Sequence, residues 1–323
     1  MKLGLFYDVR NPAPWRRPWA EVYSRTLDLV EESERLGADS AWVTEHHFFD
    51  DGYVPQPLTL LAAFAARTTS MRLGTGVTIA NFRHPQHLAE EAALVDLLSN
   101  GRLELGIGAG YVPAEYEAFG SDLSKRMTLT DAATATVRDL LWGGGLCPPP
   151  VQQQLPIWLG YQGPQGARRA GRLGVGLLAP DPTLLSSYRE GLAEGGHDPS
   201  VARQGGLLNI VVASDPERTA EIIAPYVHHQ RSTYAAARTQ RPPFVPVTDE
   251  VAAGLAASLL KVDEPGNGFV IATPEQAVQL VARRTAGAPV EHCYFWASIA
   301  GMPDQLVEEH VRLTFTEVSP ALR

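Results

Sequence analysis

Short apolar runs alternate with longer segments of helical periodicity along this chain. The first run, "KLGLFYD" (2–8), precedes an amphipathic stretch, "WAEVYSRTLDLVEESERL" (19–36), that is closed by Gly37. "SAWVTEH" (40–46) follows, then a helix after Pro57. "RLGTGVTIA" (72–80) precedes a helix over 85–99, and "RLELGIGAG" (102–110) precedes one over about 124–142. Beyond a Gly-, Pro- and Gln-rich loop (143–155) come "PIWLGYQ" (156–162), "VGLLAP" (175–180), "LLNIVVAS" (207–214) and "EHCYFWA" (291–297), each leading into helical sequence. Near-continuous apolar strands alternating with helices predict a parallel sheet covered by helices. Eight such units predict a single closed (β/α)₈ barrel, a TIM barrel, over 1–323, with a doubly wound open sheet as the competing architecture. The segment 225–268 is too long for a simple connection and predicts an insertion, or lid, over the barrel mouth.

Composition narrows the function classes. The 323 residues are 45% hydrophobic and carry a formal net charge of −9. No basic block occurs, which argues against nucleic acid. The two cysteines, Cys147 and Cys293, form no metal or redox motif and suit a reducing cytoplasm. The N-terminus reads as no signal peptide, and no apolar run reaches the ~18 residues of a membrane span. A soluble cytoplasmic protein is the expectation.

Four stretches carry chemistry. The second strand ends in "EHH", and barrel active sites lie at the C-terminal ends of strands. Neighbouring side chains alternate in direction there, so one imidazole faces the mouth while the next packs outward. Adjacent histidines do not readily ligate one ion and HExxH is absent, so no metal site is expected. An acid/base role for His46, supported by Glu45, competes with a purely structural one. The glycines of "GTGVTIA" imply either close approach of a ligand or tight packing. Those of "LGIGAGYVPAEYEAFG" (105–120) read as room for a flat ring across the strand end. Glu115 and Tyr116 read as helix-start and surface residues, with polar contacts at the site as the alternative. In "LGYQGPQGARRAGRLG" (159–174) a Gly-rich turn opens a helix, whose first N–H groups suit an anion, with Arg168 or Arg169 adding charge.

Together these stretches resemble the bacterial luciferase-like monooxygenase family. The similarity rests on "GADSAWVTEHH", the block 72–120, Arg126, "PIWLGYQGPQGARRA" and "ATPEQAVQLV". The resemblance implies a (β/α)₈ barrel with an insertion and a flavin-type cofactor at its mouth. That cofactor is reduced FMN from a separate flavin reductase or, as the alternative, F420. It implies catalysis by His46 and a cis peptide at Gly76–Val77 beneath the ring. Cofactor contacts then fall on Gly76, Val77, Gly108, Ala109, Arg126, Gln162, Gly163 and Gly166. Gly108-Ala109 and Gln162-Gly163 stand where luciferase has Cys-Arg and Glu-Ser, which shifts the phosphate toward backbone N–H groups. The E-H-H stretch favours an FMN monooxygenase acting with O₂ on a small organic substrate. F420-dependent hydride transfer is the alternative, and a non-catalytic flavin-binding subunit a third reading. Tyr7, Phe48, Phe49, Phe82, Tyr111 and Trp296 are the aromatic candidates for a substrate pocket, and Asp8 a polar one. His228 and His229 read as surface residues of the insertion. Leu88, Ala92, Val95 and Leu98 share one helix face, and the resemblance implies a homodimer near it.

Overall fold

A computed structural model describes residues 1–239, 247–262 and 268–323. The chain begins β1 (Lys2–Tyr7), α1 (Trp19–Arg35), β2 (Ser40–Val43), α2 (Pro57–Arg67), β3 (Arg72–Thr75), β4 (Thr78–Ile79) and α3 (Pro85–Leu98). Next are β5 (Leu103–Gly108), α4 (Pro113–Ala118), α5 (Arg126–Trp142), β6 (Ile157–Leu159), α6 (Gly163–Arg172), β7 (Gly176–Leu177) and α7 (Leu185–Glu194). The last part holds β8 (Gln204–Leu207), β9 (Ile210–Val212), α8 (Pro216–Thr239), α9 (Asp249–Leu259), β10 (Val270–Ala272), α10 (Pro274–Thr285), β11 (Val290–Trp296) and α11 (Asp304–Leu313). The strand order β3-β2-β1-β11-β8-β7-β6-β5-β4, with β3 also paired to β5, closes an all-parallel barrel of eight staves. One stave is broken into β3 and β4 where the sequence predicted a single strand over 72–80. No described helix is long and apolar enough to cross a membrane.

The seventh stave differs from expectation. Beyond Leu207 the apolar run 207–214 does not enter the barrel. Gln204–Leu207 does, and Ile210–Val212 pairs with β10 in a separate two-stranded sheet. A Gln-Gly-Gly strand lacks the apolar signature, because its glycines let neighbouring backbone approach: a Cβ on Gly205 would lie 2.9 Å from the His292 carbonyl oxygen.

Large rings fill the barrel interior. Trp42 stacks on Tyr294 at 4.8 Å, and Tyr294 on Phe6 at 5.4 Å. Room for the two central tryptophans comes from glycine. A Cβ on Gly74 would fall 2.2 Å from the Trp42 indole, and one on Gly176 2.2 Å from that of Trp158. For Gly74, then, tight packing is the explanation and ligand approach is not. On α3, Leu88, Ala92 and Val95 face the barrel, whereas Leu98 is 57% and Leu94 54% exposed.

Two buried titratable groups brace this core. Burial alone would raise Glu104, but hydrogen bonds and charge from His292, Arg72 and Trp158 hold it down at about 2. Burial pushes His310 down to about 4. Its Nδ1 accepts from the Val212 N–H (2.8 Å) and its Nε2 donates to the Trp296 carbonyl (3.0 Å), which ties α11 to β9 and β11. A neutral imidazole in the folded state means that the unfolded chain binds the extra proton first. Its contribution is therefore complete above about 6.5 and declines as pH falls toward 4, with Glu104 adding a loss from 4.5 toward 2. The urea midpoint should fall between pH 6.5 and 4 by on the order of 2–3 kcal/mol in stability, and His310→Gln should flatten that slope. An unchanged slope in the variant would assign the acid sensitivity elsewhere.

Candidate active site at the barrel mouth

Beyond the last ladder bond of β2 the chain continues buried through Thr44, Glu45, His46 and His47. Glu45 Oε2 accepts from Thr78 Oγ1 (2.7 Å), the Ile79 N–H (2.9 Å) and Arg83 Nη1 (2.8 Å). Its Oε1 takes Arg83 Nη2 (3.0 Å) and His47 Nε2 (3.0 Å). Burial alone would raise its pKa, but the bonds from His47, Arg83 and Ile79 outweigh it and the group sits low. Both oxygens are thus engaged in fixing the end of β2 to β4 and the turn after it. Glu45, expected as part of the catalytic pair, has both carboxylate oxygens taken by these contacts.

His46 turns the other way, as strand alternation requires. Its Nδ1 lies 3.0 Å from Glu115 Oε1, which also accepts the His47 backbone N–H at 2.7 Å. With Nδ1–H donating to the carboxylate, Nε2 is left for chemistry. Phe49 (4.7 Å), Tyr53 (4.9 Å), Tyr111 (5.5 Å) and Tyr234 (5.9 Å) surround the ring. Glu115 corrects the sequence reading, which put it on the surface: it is 0% exposed. Pro113 opens α4 directly after β5, so the third residue of the helix is delivered over the mouth. Tyr116 is buried too, donating its hydroxyl to the Ala109 carbonyl and accepting from Asn81 Nδ2 at 2.6 Å.

The aromatic candidates divide. Tyr7 is on the outer face of β1, bonded to Ser33 Oγ (3.1 Å) and edge-on to Phe64. Strand parity sends Phe6 inward and Tyr7 toward α1, so Tyr7 is corrected out of the mouth. Trp296 is an inner-face residue whose Nε1 donates to Asn209 Oδ1 at 2.7 Å. Phe48 is 68% exposed, at φ 62°, and Phe82 stacks on Phe119 at 4.6 Å. Only Tyr111 and Phe49 border His46.

The cofactor candidates also divide. The Gly76–Val77 peptide is cis, and both residues are partly exposed at the mouth with Gly110, Gly160 and Gly163. Gly108 does not make room for a ring: a Cβ there would lie 2.2 Å from Val77 Cγ2, and one on Gly106 1.9 Å from the Thr75 carbonyl oxygen. Ala109 is buried. At the start of α6, Gln162 is exposed and gives no side-chain cap. Gly163 has φ 69°, and a Cβ added there would meet nothing within 4 Å, whereas Gly166 packs on Tyr161. The open, uncapped N–H groups here fit a phosphate end. Arg168 pairs with Glu194 and Arg169 with Asp131, while Arg126 Nη1 donates to the Leu123 carbonyl at 3.2 Å. Among the described residues no group of His, Cys, Asp and Glu is placed to hold a metal.

A second cluster escaped the sequence reading. Arg10 Nε donates to Asp51 Oδ2 (2.8 Å), and its Nη2 to the same oxygen (2.6 Å) and to Thr233. His229 Nε2 is 2.7 Å from that oxygen. His229, read as a surface residue, is therefore a buried hydrogen-bond partner of Asp51, whereas His228 is half-buried. The Arg10 guanidinium lies over Tyr53 (5.1 Å) and Tyr234 (5.6 Å), whose hydroxyls bond each other. Burial pushes Asp8 up to about 7 although Arg10 pulls it down. Helix α8 thus covers His46 with Tyr234, and the Arg10–Asp51 pair with Thr233 and His229. Of the expected insertion 225–268, the described parts are the second half of α8 and α9 packed on it; 240–246 and 263–267 lie outside the described residues.

Comparison with known proteins agrees with this geometry. A family model described as luciferase-like monooxygenase matches residues 1–291. The oxygenase component of flavin-dependent trigonelline monooxygenase from Acinetobacter baylyi is 36% identical over 117 residues, 36% of this chain and 32% of that protein. The match thus spans about a third of that relative's length. F420-dependent glucose-6-phosphate dehydrogenase from Amycolatopsis mediterranei is 26% identical over 282 residues, covering 78% of this chain and 83% of its own. The crystal structure of the monooxygenase RslO1 from Streptomyces bottropensis superposes with a TM-score of 0.75 at 23% identity, over 100% of both chains. That likeness shows the fold.

Glu115→Ala removes the acceptor of both the His46 ring and the His47 N–H. It should cost about 1–3 kcal/mol in urea denaturation, and Glu115→Gln, which keeps an acceptor, less than half as much. Equal losses would mean that the carboxylate's charge, not its acceptor geometry, carries the contact.

Proposed function

The chain belongs to the luciferase-like monooxygenase family, and from that premise we propose that it is the oxygenase of a two-component FMN monooxygenase. In this reading a separate reductase supplies reduced FMN, and O₂ and a small, apolar or aromatic organic substrate are the co-reactants. The observation that carries it is the buried His46, oriented by Glu115 at the C-terminal end of β2 and facing a mouth edged by partly exposed Gly76, Val77 and Gly160. Bound reduced flavin would supply the electrons and the site of oxygen activation. Gly76 and Val77 would lie against its ring, and the N–H groups of Gly163, Gln165 and Gly166 would hold its phosphate.

His46 holds or moves a proton at Nε2, with Glu115 fixing the ring through Nδ1. Tyr53, Tyr111, Tyr234 and Phe49 keep water from that nitrogen, which strengthens every polar contact there. F420-dependent hydride transfer is the second reading, favoured by the longer match to the F420-dependent dehydrogenase. A homodimer through the outward face of α3 is part of the proposal, supported by exposed Leu94 and Leu98.

Anaerobic titration with reduced FMN and with reduced F420 decides between the readings. Selective binding of reduced FMN, and no NADPH oxidation by the chain alone, is the expected result; selective F420 binding would replace the proposal by the alternative. His46→Ala should bind the cofactor within about threefold of the parent and lower turnover by roughly 10²-fold or more. Unchanged turnover would remove His46 from the chemistry.

A further inference from the structure

Beside the His46 site lies a cavity of about 560 Å³ that the proposed proton chemistry does not use. Its walls are Phe48 and Phe49 from the loop after β2, Val112 and Ala114 at α4, and Ala236 and Ala237 on α8. Phe49 is also the ring closest to His46, at 4.7 Å. One aromatic thickness therefore separates the cavity from the imidazole. The size is that of pockets for small organic molecules, and such apolar walls take a flat hydrocarbon body.

One polar wall is built into it. Asp51, 2% exposed, lines the cavity together with His229 and Thr233. Its Oδ2 is taken by Arg10 and His229, whereas Oδ1 has no hydrogen-bond partner among the described residues. Burial raises Asp51, but His229 and Arg10 outweigh it and keep the group low, so it is an ionised acceptor. An unsatisfied buried carboxylate oxygen is costly. A group that donates to it would recover that cost. A second anion would be repelled.

We propose that this cavity is the substrate subsite, and that it takes a flat, apolar, aromatic body bearing an uncharged hydroxyl or N–H donor that bonds Asp51 Oδ1. The proposal rests on the oxidoreductase reading for the word substrate, but the binding itself does not. Arg10, Thr233 and His229 act as positioning residues, since they hold the carboxylate with one oxygen, Oδ1, left unpaired. The larger cleft of about 620 Å³ between α1 and α11 is a weaker candidate, because the ion pairs of Arg17 and Arg25 with Asp304 cross it.

The test is isothermal titration of the cofactor-free full chain at pH 7 with three probes: 2-naphthol, 2-methoxynaphthalene and 2-naphthoate. 2-Naphthol should bind at one site. The methoxy compound, which lacks the donor, should bind roughly tenfold or more weakly, and the carboxylate more weakly still. Ala237→Trp and Ala114→Trp fill the cavity from α8 and from α4, and either should abolish 2-naphthol binding while the circular dichroism and urea midpoint show a folded chain. Equal affinity for the three probes, binding of none, or 2-naphthol binding retained in a folded blocked variant would overturn the proposal. The cofactor titration is separate. Failure to bind either reduced cofactor alongside selective 2-naphthol binding would sink the monooxygenase reading and leave the subsite standing; the reverse pattern would do the opposite.

Discussion

Glu45 carries a carboxylate with no solvent exposure on its side chain, and the order of the mouth depends on satisfying it. An ionised carboxylate in such a place is tolerated only when charge and hydrogen bonds surround it. Arg83, Thr78, the Ile79 N–H and His47 do so from three segments, which pins the end of β2 against β4. Once Glu45 and His47 are fixed on one side, alternation leaves His46 no other direction than the mouth. There the same Glu115 oxygen that orients the imidazole also bonds the His47 backbone. The two carboxylates therefore grip the E-H-H stretch from both sides, and the His46 ring is set by backbone as well as by side chain.

A second buried charge does for helix α8 what Glu45 does for β2. Arg10 and Asp51, both nearly inaccessible, come from the loops after β1 and β2, and Thr233 and His229 reach them from α8. Removing one member of such a set strands the other charge, at a cost of about 3–5 kcal/mol. The helix is thereby held to the barrel by polar bonds of fixed geometry rather than by apolar contact alone. Tyr53 and Tyr234, joined through their hydroxyls, lie between this cluster and His46.

The barrel was legible because parallel strands are buried on both faces and read as apolar runs. The seventh stave was not, since Gln204-Gly205-Gly206 has neither apolar character nor period, while the conspicuous run Ile210–Val212 belongs to the small sheet. His46 was legible from its place at a strand end. Its partner was not: Glu115 is 69 positions away and occupies a helix-start position where an acid is ordinarily solvated. Arg10, Asp51 and His229 were harder still, because 178 residues separate the acid from its histidine and no local pattern marks either. Glycine misled in the opposite sense. Gly106 and Gly108 suggested room for a ring, and Gly74 left ligand approach and tight packing both open, yet each makes room for a neighbouring side chain or strand. Sequence alone registers that a Cβ is missing and is silent on what fills the space.

These placements divide the labour of the site between rigid and variable parts. His46, Glu45 and the Gly76–Val77 peptide stand on or just beyond barrel strands, where ladder bonds on both sides fix the backbone. The walls around them come from the loop after β2, from the short helix α4 and from α8, which no ladder constrains. Chemistry that depends on sub-ångström geometry belongs on the first set, and selection among organic molecules on the second. Substitutions at Phe48, Phe49, Ala236 or Ala237 can reshape the cavity without disturbing the Glu45 and Glu115 contacts. One barrel can thus present different walls around an unchanged His46 and Glu115, so fold and family carry less information about the substrate than those walls do.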